Sequence, residues 1–306
     1  MSAVQSQLQE LSLLVRDHKM YSRRRTVRVR RAFNRMYKLF ALPTYLRRRR
    51  LVDTIPDRPD FTIPEDQGFV LWEPKSFSLL ESAIAEAKAA FDEADLPAIK
   101  QTIAPDKSFA GVPFQLTPDS AIVRLATDQR LLKPLAQYLG VIPILQYVQL
   151  MYSPNDRKAE NSAQAFHLDG QDVRSLQVFV YLDEVTEDNG PVTVVNAAAS
   201  ERLARTLRYR KTPATKRVDD ETVRRIVGDG NLRVMVGKAG SVCIFDGDRC
   251  FHYGSRKATK PRRILQYEYV SPFAFVLPRR WWEGLRYAHL GRSGAPDWER
   301  SVLQRN

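Results

Sequence analysis

The sequence predicts a mainly β fold with flanking helices, built as an antiparallel sandwich or barrel, and three observations carry that prediction. From about residue 144, short runs rich in β-branched and aromatic residues follow one another: Ile144 to Tyr152, Leu176 to Leu182, Val192 to Val195, Leu232 to Val236, Ser241 to Phe245 and Ile264 to Val270. Turn residues such as Asn189-Gly190-Pro191 and Gly228-Asp229-Gly230 bound them. The runs do not alternate regularly with helical patterns, so a parallel strand–helix repeat is not indicated.

The elements ahead of the strands read as helices. Leu8, Leu11, Leu14 and Val15 give residues 1–17 a helical spacing. In the segment 23–50, Val29, Phe33, Met36, Tyr37 and Phe40 fall on one helical stripe, while Arg28, Arg31, Arg35 and Lys38 lie largely off it. Pro43 is expected to end that helix, with Arg47 to Arg50 following as a block. Residues 53–64, rich in Pro and Asp, read as a connector. Helices are expected over 76–93 and 131–139, and a helical insert over about 199–227 interrupts the strands. The domain reading is therefore a basic helical arm over residues 1–52 and a body over 53–306, with a core at about 144–275.

Composition narrows the class. The 306 residues are 43% hydrophobic and 27% charged, which is enough apolar material for a sizeable core. No apolar run is long enough to span a bilayer, and the first fifteen residues carry no Lys, Arg or signal-peptide pattern, so a cytoplasmic protein is expected. Cys243 and Cys250 are the only cysteines, which excludes a disulfide framework and a Cys-rich zinc site. The net charge of +13 is concentrated: residues 1–50 hold 14 Lys/Arg against Glu10 and Asp17, and the remaining chain is nearly neutral. Such a segment has three readings: a helix packed on the body or solvated, an amphipathic helix on an anionic membrane surface (residues 23–50), and nucleic-acid binding. The last is disfavoured because phosphate tracking does not need the apolar stripe.

Four histidines occur, His18, His167, His252 and His289. His167-Leu168-Asp169 places an imidazole and a carboxylate on one face of an extended chain, where both reach one ion. His252 follows the run at 241–245. Two imidazoles and one carboxylate, with coordination positions left open, are the ligand set of non-haem Fe(II) oxygenases. Asp172 and Asp248 are rival carboxylates, but their spacing to a histidine does not put both side chains on one face. Arg263, eleven positions after His252, is expected to grip a dicarboxylate through a bidentate pair, with Arg262 as the rival on the opposite face. Cys250 shares the parity of His252 and is expected to be packing.

His167-Leu168-Asp169, the run from Leu182 to Pro191, the run from Gly240 to Asp246, His252 and Pro261-Arg262-Arg263 together resemble the phytanoyl-CoA dioxygenase (PhyH-like) family over roughly residues 65–275. The resemblance implies a double-stranded β-helix (jelly-roll, cupin-like) and Fe(II) at His167, Asp169 and His252. It also implies 2-oxoglutarate at Arg263 with a contact from Gln177, and O2 as the oxidant. Tyr147, Gln149 and Met151 would line the substrate side. The implied activity is a dioxygenase hydroxylating an aliphatic C–H of a small-molecule or lipid-like substrate, with release of succinate and CO2. Asp169 stands where halogenating relatives carry a small residue, so halogenation is disfavoured. Asn196 to Ser200 departs from the Pro-Gly-Ser-His-like turn usual in relatives, so the substrate-side wall is expected to differ. Two other readings stay open: a catalytically silent jelly-roll binding protein, and a nucleic-acid-directed oxygenase using the basic arm.

Overall fold

The chain is described by a computed structural model over residues 27–56, 59–104, 107–155, 164–210, 217–256, 258–274 and 287–303. The helix expected over 1–17 and His18 lie outside these residues. Two helices open the described chain, α1 (Val27–Phe40) and α2 (Leu42–Thr54). The first helix ends at Phe40, as expected, and a second helix that the sequence pattern did not indicate begins at once. Pro43 sits in the first turn of α2, where a fixed φ suits the helix and a missing N–H costs nothing. The Arg47–Arg50 block is therefore helical, and its register turns Arg48 inward: the side chain is fully buried and donates to the Ile142 carbonyl (3.1 Å). Burial, with Arg47 adjacent, pushes the Arg48 guanidinium down to about 9. Val52 joins the core, so residue 52 lies within a helix packed on the body.

Helices α3 (Ser78–Asp92), α4 (Leu96–Gln101), α5 (Ala121–Thr127) and α6 (Gln129–Leu139) form a layer against a six-stranded sheet. The strands are β1 (Phe69–Trp72), β2 (Ala110–Val112), β3 (Ile144–Ser153), β4 (Ser175–Tyr181), β7 (Val242–Asp246) and β9 (Arg262–Val270). Their order is β1-β7-β4-β9-β3-β2, with every pair antiparallel. A second antiparallel sheet has the order β6-β5-β8, from β5 (Thr193–Val195), β6 (Leu232–Val234) and β8 (His252–Tyr253). Helices α7 (Ala197–Thr206) and α8 (Asp220–Val227) form the insert expected between the strands, and α9 (Asp297–Leu303) ends the described chain. His289 sits in a short 3-10 turn, Ala288–Leu290. The fold is mixed rather than mainly β, because the helices form a full layer.

The large sheet is buried on both faces, and strand alternation decides what each face carries. Leu176, Val178 and Val180 of β4, Val242 and Ile244 of β7, and Leu265, Tyr267 and Tyr269 of β9 pack into the helical layer. The two tyrosines donate to the Ile122 and Ala126 carbonyls of α5 (2.9 and 2.7 Å), which ties helix to sheet. Each large apolar side chain so withdrawn contributes on the order of 1.5–3 kcal/mol. The opposite face carries Gln177, Phe179, Cys243, Phe245, Ile264 and Gln266, and looks toward the small sheet. The site lies between that face and the small sheet.

Candidate metal centre

His167 and His252 are directly opposed across an isolated antiparallel bridge, each donating its backbone N–H to the other's carbonyl (3.1 and 3.0 Å). Opposed residues of such a pair project to the same side, so the two imidazoles meet, with ring centroids 4.4 Å apart. His252 lies in β8, paired with Val194 of β5, so the small sheet fixes both histidines. Asp169 arrives two positions after His167, and its N–H is held by the Gly247 carbonyl (2.8 Å). A side chain at Gly247 would overlap the Asp169 carboxylate, so glycine here leaves room for that carboxylate.

One ligand atom from each of His167, Asp169 and His252 lies within 4.8 Å of the others, a spacing that one metal ion can bridge. Asp169 Oδ1 is 3.6 Å from His167 Nε2 and 3.7 Å from His252 Nε2. Each imidazole Nδ1 faces a backbone carbonyl, Ala165 for His167 and Cys250 for His252, both at 2.9 Å. That arrangement makes Nδ1 the protonated nitrogen and leaves the Nε2 lone pairs for the metal. Gln177 sets the rest: its Nε2 donates to Asp169 Oδ2 (3.2 Å) and to Glu268 Oε1 (2.9 Å), while its Oε1 accepts from Gln266 (2.9 Å). Gln266 also donates to the Tyr147 hydroxyl (2.9 Å). Burial, reinforced by the carboxylates of Glu268 and Asp169, holds the Tyr147 phenol well above its ordinary value.

These groups line a cavity of about 150 Å³ together with Phe109, Met151, Phe179, Val192, Phe245 and Tyr253. The cavity also contains Arg262, only 4% exposed. Its guanidinium donates to the Gly190 carbonyl and to Ser255 Oγ (2.8 Å), and its Nε has no hydrogen-bond partner among the described residues. Ser255 in turn donates to Ser153 Oγ (3.0 Å). Among the described residues no carboxylate pairs with Arg262. A buried guanidinium without a counter-ion is costly unless an anion joins it, so its place beside the ligand triad is chemically informative.

Arg263 is not where the sequence reading put it. Its Nε and Nη2 donate to Asp183 (2.8 and 3.0 Å), Asp92 is 3.5 Å away, and the guanidinium lies over the Phe91 ring. Asp183 raises the Arg263 pKa and Arg263 lowers that of Asp183, as a satisfied partly exposed pair should. The reason is parity: Arg263 shares a face with Leu265, Tyr267 and Tyr269 toward the helices, and Arg262 shares one with Ile264, Gln266 and Glu268 toward the cavity. The polar residues Gln266 and Glu268 were the available signal, since a polar parity in a buried strand marks a site face. Tyr147 and Met151 line the cavity, but Gln149 does not. It faces Gly111 in a neighbouring groove.

No family profile and no curated protein matches the chain. Among solved structures, EctD from S. alaskensis in its apo form is 18% identical, with a TM-score of 0.46, over 71% of this chain and 80% of that one. The epimerase SnoN with Fe3+, alpha ketoglutarate and nogalamycin RO is 14% identical, with a TM-score of 0.44, over 68% and 81%. HygX from Streptomyces hygroscopicus with nickel and 2-oxoglutarate is 16% identical, with a TM-score of 0.42, over 67% and 84%.

The rival acids Asp172 and Asp248 lie behind the triad. Asp248 accepts the N–H groups of Gln171 and Asp172 (both 2.7 Å), which fixes the turn that follows Asp169. Arg30 of α1 enters this cluster, donating to the Asp172 carbonyl (2.6 Å) and to Asp248 Oδ1 (3.3 Å), and Asn34 donates to the Asp172 carboxylate (3.2 Å). Burial and the neighbouring Asp248 push Asp172 up to about 8, and the same causes push Asp246 up to about 7. The basic helix is therefore packed on the body through polar groups. Arg30→Met leaves Asp248 buried without its cation and is expected to cost about 3 kcal/mol in urea unfolding. An unchanged midpoint would show that the contact carries no stability. Cys250 is packing, its thiol directed at the Gln67 and Gly68 carbonyls (3.5 and 3.7 Å). The Asn196–Ser200 departure has a structural role: Asn196 caps α7 by accepting from the Ala199 N–H (2.8 Å).

Proposed function

We propose that this chain is an Fe(II)- and 2-oxoglutarate-dependent oxygenase acting on an aliphatic C–H of a small-molecule or lipid-like substrate. The observation that carries the reading is the sharing of one small cavity by the triad His167, Asp169 and His252 and by the buried Arg262, which has no carboxylate partner among the described residues. The donor set, two neutral imidazoles and a carboxylate, fits Fe(II) with positions left open. The two antiparallel sheets with the site between them are read as the halves of a double-stranded β-helix.

Fe(II) and 2-oxoglutarate, when bound, supply O2-dependent C–H oxidation with succinate and CO2 as co-products. The chain's own residues bind and orient. His167, Asp169 and His252 hold the metal, and Gln177 fixes the Asp169 carboxylate through its second oxygen. This assigns Gln177 to metal orientation first. Arg262, with Ser255 beside it, grips the distal carboxylate of the co-substrate in place of Arg263. The cavity volume suits one small dianion, so substrate is placed at its apolar rim, where Phe109, Met151 and Val192 exclude water. The phenol of Tyr147 stays protonated and serves as a donor.

The test is Fe(II)-dependent succinate release from 2-oxoglutarate under O2, including the slow turnover without added substrate. Succinate from the wild type, reduced about a thousandfold in His167→Ala on losing a metal ligand, is expected. Equal release by both proteins, or none from the iron-loaded wild type, contradicts the reading.

A further inference from the structure

From the outward face of α1 and α2 we infer that the protein docks on an anionic lipid surface through the corner between these helices. Six of the nine exposed large apolar side chains among the described residues lie between positions 29 and 46, so the apolar surface is local rather than scattered. Met36, Leu39 and Phe40 share one face at helical spacing, and Leu42 and Leu46 continue it on α2. Leu39 is 72% exposed and Phe40 80%. Residues 27–50 hold nine Lys/Arg and no acid. Two of the nine are spent inside, Arg30 on the aspartate cluster and Arg48 on Ile142. Arg31 and Arg47 have acidic neighbours, Glu201 and Asp297. Arg35, Arg49 and Arg50 are exposed and carry no ion pair among the described residues.

The occupant follows from that combination. A second copy would bring the same uncompensated positive charge against itself. A nucleic acid would match the charge but leave Leu39 and Phe40 in water. An anionic leaflet satisfies both, taking the apolar corner into the acyl boundary and the arginines at the headgroups. The inner face of α1, held by Arg30 and Asn34, makes the helix a fixed part of the body, so docking would carry the body with it. The membrane reading of the sequence rested on the whole stripe from Val29 to Phe40. In the structure Tyr37 packs edge-on against Phe273, while Val29, Met36 and Phe40 of the stripe stay exposed.

The experiment is co-sedimentation of the full chain with phosphatidylcholine vesicles, with and without phosphatidylglycerol. Binding is expected only with phosphatidylglycerol and should weaken with salt. Leu39→Ser/Phe40→Ser should lower the partition coefficient about a hundredfold, and Arg49→Gln/Arg50→Gln about tenfold or more. Far-UV circular dichroism and metal affinity of both variants should match the parent. Absence of binding to the anionic vesicles overturns the inference. So does equal binding by the Leu39/Phe40 variant. A dimer that this variant abolishes, or retention on DNA that it leaves unchanged without vesicle binding, likewise overturns it.

Discussion

Arg262→Met is expected to raise the dissociation constant for 2-oxoglutarate about a hundredfold, while Arg263→Met changes it less than twofold. The neighbours differ in sequence position by one and in chemistry completely. Arg262 is buried beside the ligand triad and has no carboxylate partner among the described residues, so a dicarboxylate entering the cavity is expected to supply its counter-ion. Truncating one member of such a buried pair costs about 2–5 kcal/mol of binding. Arg263 already has Asp183 and is partly exposed, so its loss removes at most about 1 kcal/mol of stability and nothing from the cavity. The apo-protein makes the distinction sharper. Arg262→Met removes an uncompensated buried charge, so the unliganded variant should be at least as stable as the parent in urea. A hundredfold loss in Arg263→Met, with Arg262→Met unaffected, would restore the sequence-based assignment.

His252→Ala is expected to weaken Fe(II) or Co(II) binding by on the order of a thousandfold, since residues that merely orient ligands already contribute 10–100-fold. The backbone bridge between positions 167 and 252 does not depend on the imidazole, so the strand pairing should survive the substitution. Isothermal titration under anaerobic conditions reads the affinity, and circular dichroism confirms the fold. Retained stoichiometric binding would place the metal elsewhere. Gln177→Leu is the intermediate case: the ligands remain but Asp169 loses its second-oxygen partner, and a loss between tenfold and a hundredfold is expected.

Much of this was legible in the residues. The six expected strands are present within one or two residues at most ends, because β-branched runs between turn residues are a local signal. His167 and Asp169 were readable for the same reason: i and i+2 on an extended chain share a face. That His252 would oppose His167 was not local, and rested on the chemistry of the ligand set. The error at Arg262 and Arg263 came from a property sequence spacing does not carry. Both faces of the large sheet are buried, so alternation tells that the arginines separate but not which face is the cavity. Part of the arm was not legible for a related reason. Pro43 reads as the stop of α1, which it is, but in the first turn of α2 it is also a start. Arg30 and Arg48 look like surface charge until the buried aspartates and the Ile142 carbonyl are in place.

The most direct measurement is an anaerobic titration of the metal-free protein with Fe(II) and then 2-oxoglutarate, following the weak visible charge-transfer band of the iron–keto-acid chelate in the wild type, Arg262→Met and His252→Ala. The account predicts a saturable band in the wild type, the same band at about a hundredfold more 2-oxoglutarate in Arg262→Met, and none in His252→Ala. A wild-type protein that binds no iron at this site, or binds it without the band at any 2-oxoglutarate concentration, would contradict it.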